Sequence, residues 1–429
     1  TITNPGDEGL ELDLNATSIF EANLITGASG AGVIVDGNTT SGTVFGSTDF
    51  TRGNRVQNSG SNGIDANGAL LVIGNVVFGS MANGTYGIIS ERNAETRSNV
   101  VYNSRNGILG TQIFNNRVFG ITDIGIVLSS TGATIAGNVV YNANIGIETS
   151  TNSNSADSIR DNLIYNITTT GIRLDNGANH NVIGNTFFLP AATQALEIVS
   201  TTTNVTVADN IFSMGAGAAI TVDNGSQPGF ASDDNLFQLT GSGIAGIWQG
   251  VNRANLAAWQ AATFGDARSF EADPFFVNPT GADGVLGAGG SSQGFEDDFH
   301  LQSLFGSLHG WSLAPVLDAN GFALAAPGVL TVDSQQSPGI DRASANTSAD
   351  REPEPDGDIG NLGAYGGTEQ ASLSPSEFIA VDEPLPGTVV ITGTTVPIVW
   401  RSIATSGLVD IEYSPDNGSS FVSIATNEV

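Results

Sequence analysis

The chain contains no cysteine and no lysine, and only 13% of its residues are charged, which is about half the share of an ordinary globular protein. Without cysteine there can be no disulfide, no zinc thiolate site and no thiol nucleophile. Without lysine, catalysis by a lysine base is excluded. Apolar runs are also short, and none approaches the roughly 18 residues of a membrane span, so we expect no membrane insertion.

Positive charge is scarce as well. All 13 basic residues are arginines, set against 43 acidic residues, and the net charge is −30. Because nucleic-acid binding needs a basic surface, we expect no nucleic-acid partner. At 40% hydrophobic residues, the chain can still bury a sizeable core, so its acidity does not indicate disorder.

An asparagine followed by mostly apolar residues recurs every 17 to 25 residues. This period, without any helical pattern, predicts a coil whose successive turns stack as parallel strands about 4.8 Å apart. We expect the asparagines to hydrogen-bond along the stack and to adopt the left-handed backbone conformation that asparagine tolerates. This structural ladder comprises Asn54, Asn75, Asn99, Asn116, Asn138, Asn162, Asn185, Asn210 and Asn235, with Asn23 as a less regular earlier member.

A second position in each repeat holds a small residue followed by an aliphatic one. Alternation of apolar and polar residues then continues, which indicates a half-buried strand. Together the two patterns predict an all-β fold, a parallel β-helix solenoid of about ten coils over residues 1–245. The small-aliphatic pairs begin at residues 63, 87, 107, 125, 146, 171, 195, 219 and 243, the last being Gly243-Ile244.

These repeats resemble those of the right-handed parallel β-helix proteins, the pectate-lyase-like superfamily with short β-helix repeats. The resemblance covers about residues 20–245 and implies a right-handed coil. Residues 246–371 are predicted to form a C-terminal cap, with a short amphipathic helix at 253–262. Segments 271–276 and 361–367 are similar to the C-terminal region of bacterial cell-surface β-helix proteins, which implies an extracellular or cell-surface location.

Residues 372–377 are predicted to be a linker. Beyond it, 378–429 resembles the opening half of an immunoglobulin-like or fibronectin-like sandwich, with strands at 378–381, 389–392, 396–400, 409–413 and 421–425. Because such a domain needs about 100 residues, we expect a partial β-sandwich whose missing strands come from further chain or from another copy.

Four charged residues are candidates for chemistry. Stacking of the coils predicts that Glu148, Arg173 and Glu197 share one outward column, with Asp175 beside them. The resemblance adds interest, because polysaccharide-acting β-helix enzymes carry catalytic acids, bases and calcium ligands at outward strand positions. The alternative is an ion-pair ladder that contributes less than about 1 kcal/mol for each exposed pair.

An aromatic residue stands three places after six consecutive ladder asparagines. Strand alternation predicts that these rings point outward, where they would offer a platform for sugars or for another protein. A bend in the chain would instead make them an internal stack that adds only stability, and this is the interpretation that the sequence favours. The six rings are Phe78, Tyr102, Phe119, Tyr141, Tyr165 and Phe188.

Calcium is the one ion that the sequence suggests. Acidic residues alternate over nine positions, and such oxygen-rich spacing suits Ca²⁺, although a solvated acidic loop is the alternative. His180, His300 and His309 share no metal-ligand spacing, and we expect a polar turn role for His180. The calcium candidates are Asp350, Glu352, Glu354, Asp356 and Asp358.

The sequence therefore favours a non-catalytic structural or adhesive segment of a larger surface protein or filament. We expect self-association or contact with neighbouring domains of the same protein. One alternative is a polysaccharide lyase or glycoside hydrolase working on the Glu148 column. Another is a non-catalytic glycan-binding module that uses the aromatic rings, with a polysaccharide as partner.

Overall fold

The computed structural model divides into two compact units, Thr1–Ser374 and Pro375–Val429. The boundary falls inside the segment predicted as a linker. The structure describes residues 1–13, 17–36, 42–68, 70–128, 130, 132–149, 156–290, 293–310, 312–325, 328–384, 390–403, 407–416 and 419–428.

The first unit is built on a solenoid with three strand-bearing faces. Face 1 is a twelve-stranded parallel sheet of short strands, and all but its first and last strands directly follow a ladder asparagine. The middle residue of each triplet, such as Val77 or Val101, points into the coil, and its two neighbours point outward. The strands of face 1 are Ile2–Thr3, Leu24–Thr26, Arg55–Gln57, Val76–Phe78, Val100–Tyr102, Arg117–Phe119, Val139–Tyr141, Leu163–Tyr165, Thr186–Leu189, Ile211–Met214, Leu236–Leu239 and Phe270–Glu271.

Faces 2 and 3 complete each turn, also with parallel pairing between turns. This confirms the predicted all-β parallel solenoid. Face 2 contains Leu10–Asp13, Val33–Asp36, Ile64–Asn67, Ile124–Leu128, Ile145–Thr149, Thr170–Asp175, Gln194–Val199, Ala218–Val222 and Ile244–Trp248. Face 3 contains Ile19–Phe20, Thr43–Gly46, Leu70–Ile73, Thr134–Ala136, Ser158–Arg160, Asn181–Ile183, Thr206–Ala208 and Ala231–Asp233. Two longer strands run through both faces, Tyr86–Arg97 and Asn106–Phe114.

The asparagine ladder forms as predicted at the corner between faces 3 and 1. Each side-chain Nδ2 donates to the Oδ1 of the next asparagine, for example from Asn116 to Asn138 at 3.1 Å. The backbone N–H of Asn116 donates to the same oxygen. The ladder begins at Asn23 and ends where Asn235 bonds to Ser269 and Asp266. The buried corner therefore keeps its polar groups satisfied in every turn.

The expectation that the ladder asparagines take the left-handed conformation is wrong. The residue before the asparagine takes it instead, as at Ser98 with φ 53° and Asp161 with φ 56°. This left-handed residue lies where the chain turns from face 3 to face 1, and the asparagine that follows it directs its amide side chain to the next asparagine of the ladder. Glycine fills the same position at Gly74, Gly137 and Gly184.

Small residues start the strands of face 2 because neighbouring turns lie very close there. A Cβ at Gly107 would come within 2.2 Å of the carbonyl oxygen of Gly125. The repeat pattern predicts that Ile244 pairs with Ile220 of the preceding turn. In the last turn the strand is shifted by two residues, so that Gly246 pairs with Ile220. A Cβ on Gly246 would meet the ring of Trp259, so this glycine makes room for the residue that closes the coil.

A short helix closes the C-terminal end of the coil. It spans Leu256–Thr263, ending one residue beyond the predicted helical segment 253–262, and follows the strand Val251–Arg253, which pairs antiparallel with the last strand of face 2. Trp259 is fully buried against the coil, and its ring N–H donates to Asp266 at 2.7 Å. No helix among the described residues is long and apolar enough to cross a membrane.

The described residues between 272 and 374, called the cover below, lie along the outer side of face 1. They form a second hydrophobic core with the outward residues of that face, separate from the core inside the coil. Much of the cover is irregular, but it contains three antiparallel strand pairs: Phe276–Asn278 with Asp298–Leu301, Ser307–His309 with Val329–Thr331, and Val316–Leu317 with Ala323–Leu324. Within the coil itself, a 3₁₀ turn lies at Phe50–Arg52.

The second unit consists of two hairpins. Phe378–Glu383 pairs with Val399–Ile403, and Val409–Tyr413 pairs with Val422–Glu428. Residues 390–392 form no strand, and Val389 of the strand predicted at 389–392 lies outside the described residues. Large apolar side chains such as Ile391 and Phe421 are exposed. The sandwich assignment itself stays a prediction.

Candidate functional site

The charged residues predicted on face 2 come together in adjacent strands. Glu148 stands opposite Arg173, and Arg173 stands opposite Glu197. The Arg173 guanidinium lies 3.3 Å from Asp175 and 3.5 Å from Glu197. The arginine is thus held between two carboxylates on the outer surface of the coil.

Glu148 differs from the other two acids. Among the described residues its carboxylate has neither a hydrogen bond nor an ion pair, although Arg173 is its neighbour in the sheet. It is half-buried, and this desolvation raises the pKa of Glu148, while the arginine lowers it. A carboxyl group of this kind retains its proton more readily than an exposed one, as a general acid must.

The aromatic column points outward from the coil but is largely covered. Five rings stack from Phe78 to Tyr165, with centroid spacings of 4.6 to 5.0 Å. Phe188 instead makes edge contacts with Phe276 and Phe299 of the cover. Phe119, Tyr141 and Tyr165 are buried beneath the cover. The central rings are therefore inaccessible to a ligand while the cover is in place.

Hydrogen bonds fasten the cover to the column. The hydroxyl groups of Tyr141 and Tyr165 donate to the carbonyl oxygens of Gln293 and Gly294. Arg117 is 2% exposed and donates to the carbonyl oxygens of Pro315 and Ala314. These contacts stabilise the unit and present no chemistry to solvent.

One end of the column reaches an open cleft. Phe78 and Tyr102 are half-buried, and the Arg55 guanidinium lies over the Phe78 ring at 5.1 Å. A cleft of about 470 Å³ opens there between face 1 and the cover turn 318–321. Tyr102, Arg55 and Asp318 line it together with Gln293, Phe295 and Asn320.

The acidic loop predicted to bind calcium is spread over different environments. Glu352 is buried, and its Oε1 accepts hydrogen bonds from the backbone N–H groups of Asn361 and Gly367. Burial raises the pKa of Glu352 to about 8. Asp350, Asp356 and Asp358 line a separate cleft of about 460 Å³, whereas Glu354 is exposed.

A metal centre is not assembled in the part of the chain that the structure describes. No group of three or more His, Asp or Glu side chains lies there in an arrangement that could hold an ion. The calcium site therefore stays a prediction from the sequence alone.

The three histidines each sit beside an aspartate. His180 is buried inside the coil 3.1 Å from Asp157, a more internal position than the polar turn expected for it. His300 bonds to Asp298 at 2.7 Å and stacks on Tyr365. His309 contacts Asp333 at 2.9 Å in the cover. His180 and His300 are both fully buried, so neither pair is presented to solvent. His300 is hydrogen-bonded to Asp298, whereas neither ring nitrogen of His180 makes a hydrogen bond to any residue that the structure describes.

Comparison with known families decides the architecture. Residues 104–257 match the family described as right handed beta helix region. The solenoid is a right-handed β-helix. No curated protein and no solved structure matches the chain. Because many unrelated functions use the same fold, the β-helix alone assigns no reaction, and function must be argued from its surface.

Sequence reasoning missed the two arginines of face 1. Arg55 and Arg117 occupy the position directly after the ladder asparagine, where other turns of the β-helix carry aliphatic residues or threonine. An arginine at a position that is otherwise aliphatic or threonine could have indicated that this side of face 1 is covered by a polar partner. Their partners lie 198 to 265 residues away in the cover, a separation that the repeat pattern cannot reveal.

Proposed function

We propose that the protein is a rigid, non-catalytic segment of an extracellular or cell-surface protein, with a structural or adhesive role. The observation that carries the proposal is the pairing of Arg173 with both Asp175 and Glu197 on the outer surface of face 2. Partly exposed charges that neutralise one another along a regular sheet suit a solvated wall better than a reaction centre.

Burial of the aromatic column supports the same role. The cover uses the outward side of face 1 for packing, with Tyr141 and Tyr165 fixed by hydrogen bonds. The helix with Trp259 closes the end of the coil. Both features add rigidity along and at the end of the rod, as a stalk or filament subunit requires.

Turnover assays test the proposal. The purified chain is incubated with neutral and acidic polysaccharides, and reducing ends and unsaturated uronate products are measured. We expect no product above that of a heat-denatured sample. Reproducible turnover of any of these polysaccharides would overturn the proposal.

A second function, glycoside hydrolysis on face 2, is favoured by Glu148. Its raised pKa suits a general acid, and Glu197 lies two strands away. Two strand spacings are about 9.6 Å, close to the carboxyl separation of roughly 6.5–9.5 Å in inverting enzymes. This reading requires turnover that is abolished in Glu148→Gln and retained in Glu21→Gln, where the substituted acid lies far from that column in the sequence.

A further inference from the structure

The cleft at the open end of the aromatic column combines donors, acceptors and apolar ring edges. Asp318 supplies a carboxylate, Arg55 a guanidinium, Tyr102 a hydroxyl and Gln293 an amide. Phe295 adds an apolar wall. A cleft of about 470 Å³ is within the roughly 300–1,000 Å³ that small-ligand sites occupy.

The polar walls are held in place by contacts that leave other atoms of the same groups available. Oδ1 of Asp318 accepts from the N–H groups of Asn320 and Phe322. Arg55 donates through Nη1 to the carbonyl oxygen of Asn320 at 3.0 Å and through Nε to Gln57. The turn and the arginine are thus fixed to each other before any ligand arrives, which lowers the ordering cost of binding.

Local constraints maintain this arrangement. Gly321 has φ 78°, and a Cβ there would lie 2.5 Å from Nη1 of Arg55. The backbone hydrogen bonds, led by that of Phe322, lower the pKa of Asp318. Burial raises the pKa of Tyr102, so the carboxylate stays an acceptor and the phenol stays a donor at neutral pH.

Two polar groups of the cleft have no protein partner. Among the described residues, the Tyr102 hydroxyl and the Gln293 side-chain amide make no hydrogen bond. Both ring faces of Tyr102 are stacked on Phe78 and Phe119. A ligand therefore meets the hydroxyl and the edge of this ring, and no free aromatic face is required of it.

We propose that this cleft binds a neutral oligosaccharide. A sugar hydroxyl both donates and accepts, so one ligand can satisfy an acceptor-only carboxylate and a donor-only guanidinium on facing walls. An anionic ligand would be repelled by Asp318 and by the net charge of −30. A cationic ligand would be repelled by the guanidinium of Arg55. The inference rests on the adhesive role proposed above and names its ligand class.

Binding to defined saccharides tests the inference. Saturation-transfer NMR and calorimetry are run on the full chain with maltotriose, cellotriose and galactobiose, and with digalacturonate as the acidic comparison. We expect at least one neutral saccharide to bind. Tyr102→Phe and Gln293→Ala should each weaken binding about 3- to 10-fold, since each removes one hydrogen-bonding group.

The matched control is Tyr86→Phe, which removes a half-buried hydroxyl on face 2 and should leave binding unchanged. Tyr102→Phe retains the ring stack, and an unchanged melting temperature verifies folding. The inference is overturned if no neutral saccharide binds at concentrations up to about 10 mM, which would detect even a very weak affinity. It is also overturned if only digalacturonate binds, or if neither variant changes the affinity. If no saccharide binds in this cleft, the structural role proposed above is still tested separately by the turnover assay.

Discussion

Nε of Arg117 donates a hydrogen bond of 2.7 Å to the carbonyl oxygen of Pro315, joining the middle of the β-helix to the cover across 198 residues. The same guanidinium contacts Ala314 and Ser312. A buried cation with carbonyl partners on a distant segment is an anchor whose loss leaves several polar groups unpaired.

Replacing Arg117 by methionine should destabilise the first unit. Each carbonyl left without a partner costs about 1–3 kcal/mol, so we expect a loss of about 2–4 kcal/mol. Denaturant titration measures the loss, and hydrogen exchange should become faster in residues 307–310 and 312–317. Arg97→Met, on an exposed ion pair with Glu95, should cost less than about 1 kcal/mol. Equal effects of the two variants would contradict the anchoring role.

Replacing Asn138 by alanine should interrupt the ladder. Its Oδ1 accepts from Asn116, and its Nδ2 donates to Asn162 and to the carbonyl oxygen of Ile113. Several buried groups would lose their partners, and we expect a destabilisation of about 2–5 kcal/mol, read from the denaturation midpoint. Asn252→Ala, at an exposed asparagine, should change stability by less than about 0.5 kcal/mol. A mild effect at Asn138 would show that the ladder adds little.

Replacing Gly107 by alanine should disturb the packing between turns. The new Cβ would press on the Gly125 carbonyl oxygen and on Val118, and overpacking of this kind costs about 1–3 kcal/mol. At Gly6 a Cβ meets nothing within 4 Å, so Gly6→Ala should be neutral or stabilising by up to about 1 kcal/mol. Thermal melting compares the two, and a stable Gly107→Ala would contradict the close approach seen on face 2.

The buried Glu352 should make stability depend on pH. Burial raises its pKa to about 8, so the folded state binds this proton more tightly than the unfolded state. Its stabilising contribution is present at low pH and is lost as the pH rises from about 4.5 to about 8. We expect the melting temperature to fall over that interval.

Glu352→Gln keeps the Oε1 acceptor for Asn361 and Gly367 but removes the titration. The variant should have a flatter profile and should melt above the parent at pH 8. Glu354→Gln makes the same charge change at an exposed position and serves as the control. A parent profile that Glu352→Gln leaves unaltered would rule out this residue as the source.

The repeats made most of the β-helix predictable. Asn138 and its counterparts recur because each turn needs the same corner, and Ile172 alternates with Arg173 because one side chain faces the core and the next faces water. The left-handed bend was assigned one residue too late, since Ser98, Asp161 and Gly74 look unlike one another although they share a backbone conformation.

The site was less predictable than the coil. The register of Glu148, Arg173 and Glu197 followed from the repeat, because parallel strands bring equivalent positions together. Coverage of Tyr141 did not follow, because the cover has no period and its contacts lie far away in sequence. The cleft at Tyr102 is formed by one turn of that cover, so the sequence could not predict it for the same reason.

The cover also changes how the rod should respond to force. In a simple coil each turn touches only its neighbours, so turns can detach one after another. Here a single later segment reaches turns as far apart as those of Arg55 and Asp209. A pull on the coil would load all of those attachments at once, so the first unit should rupture as one block instead of peeling away turn by turn.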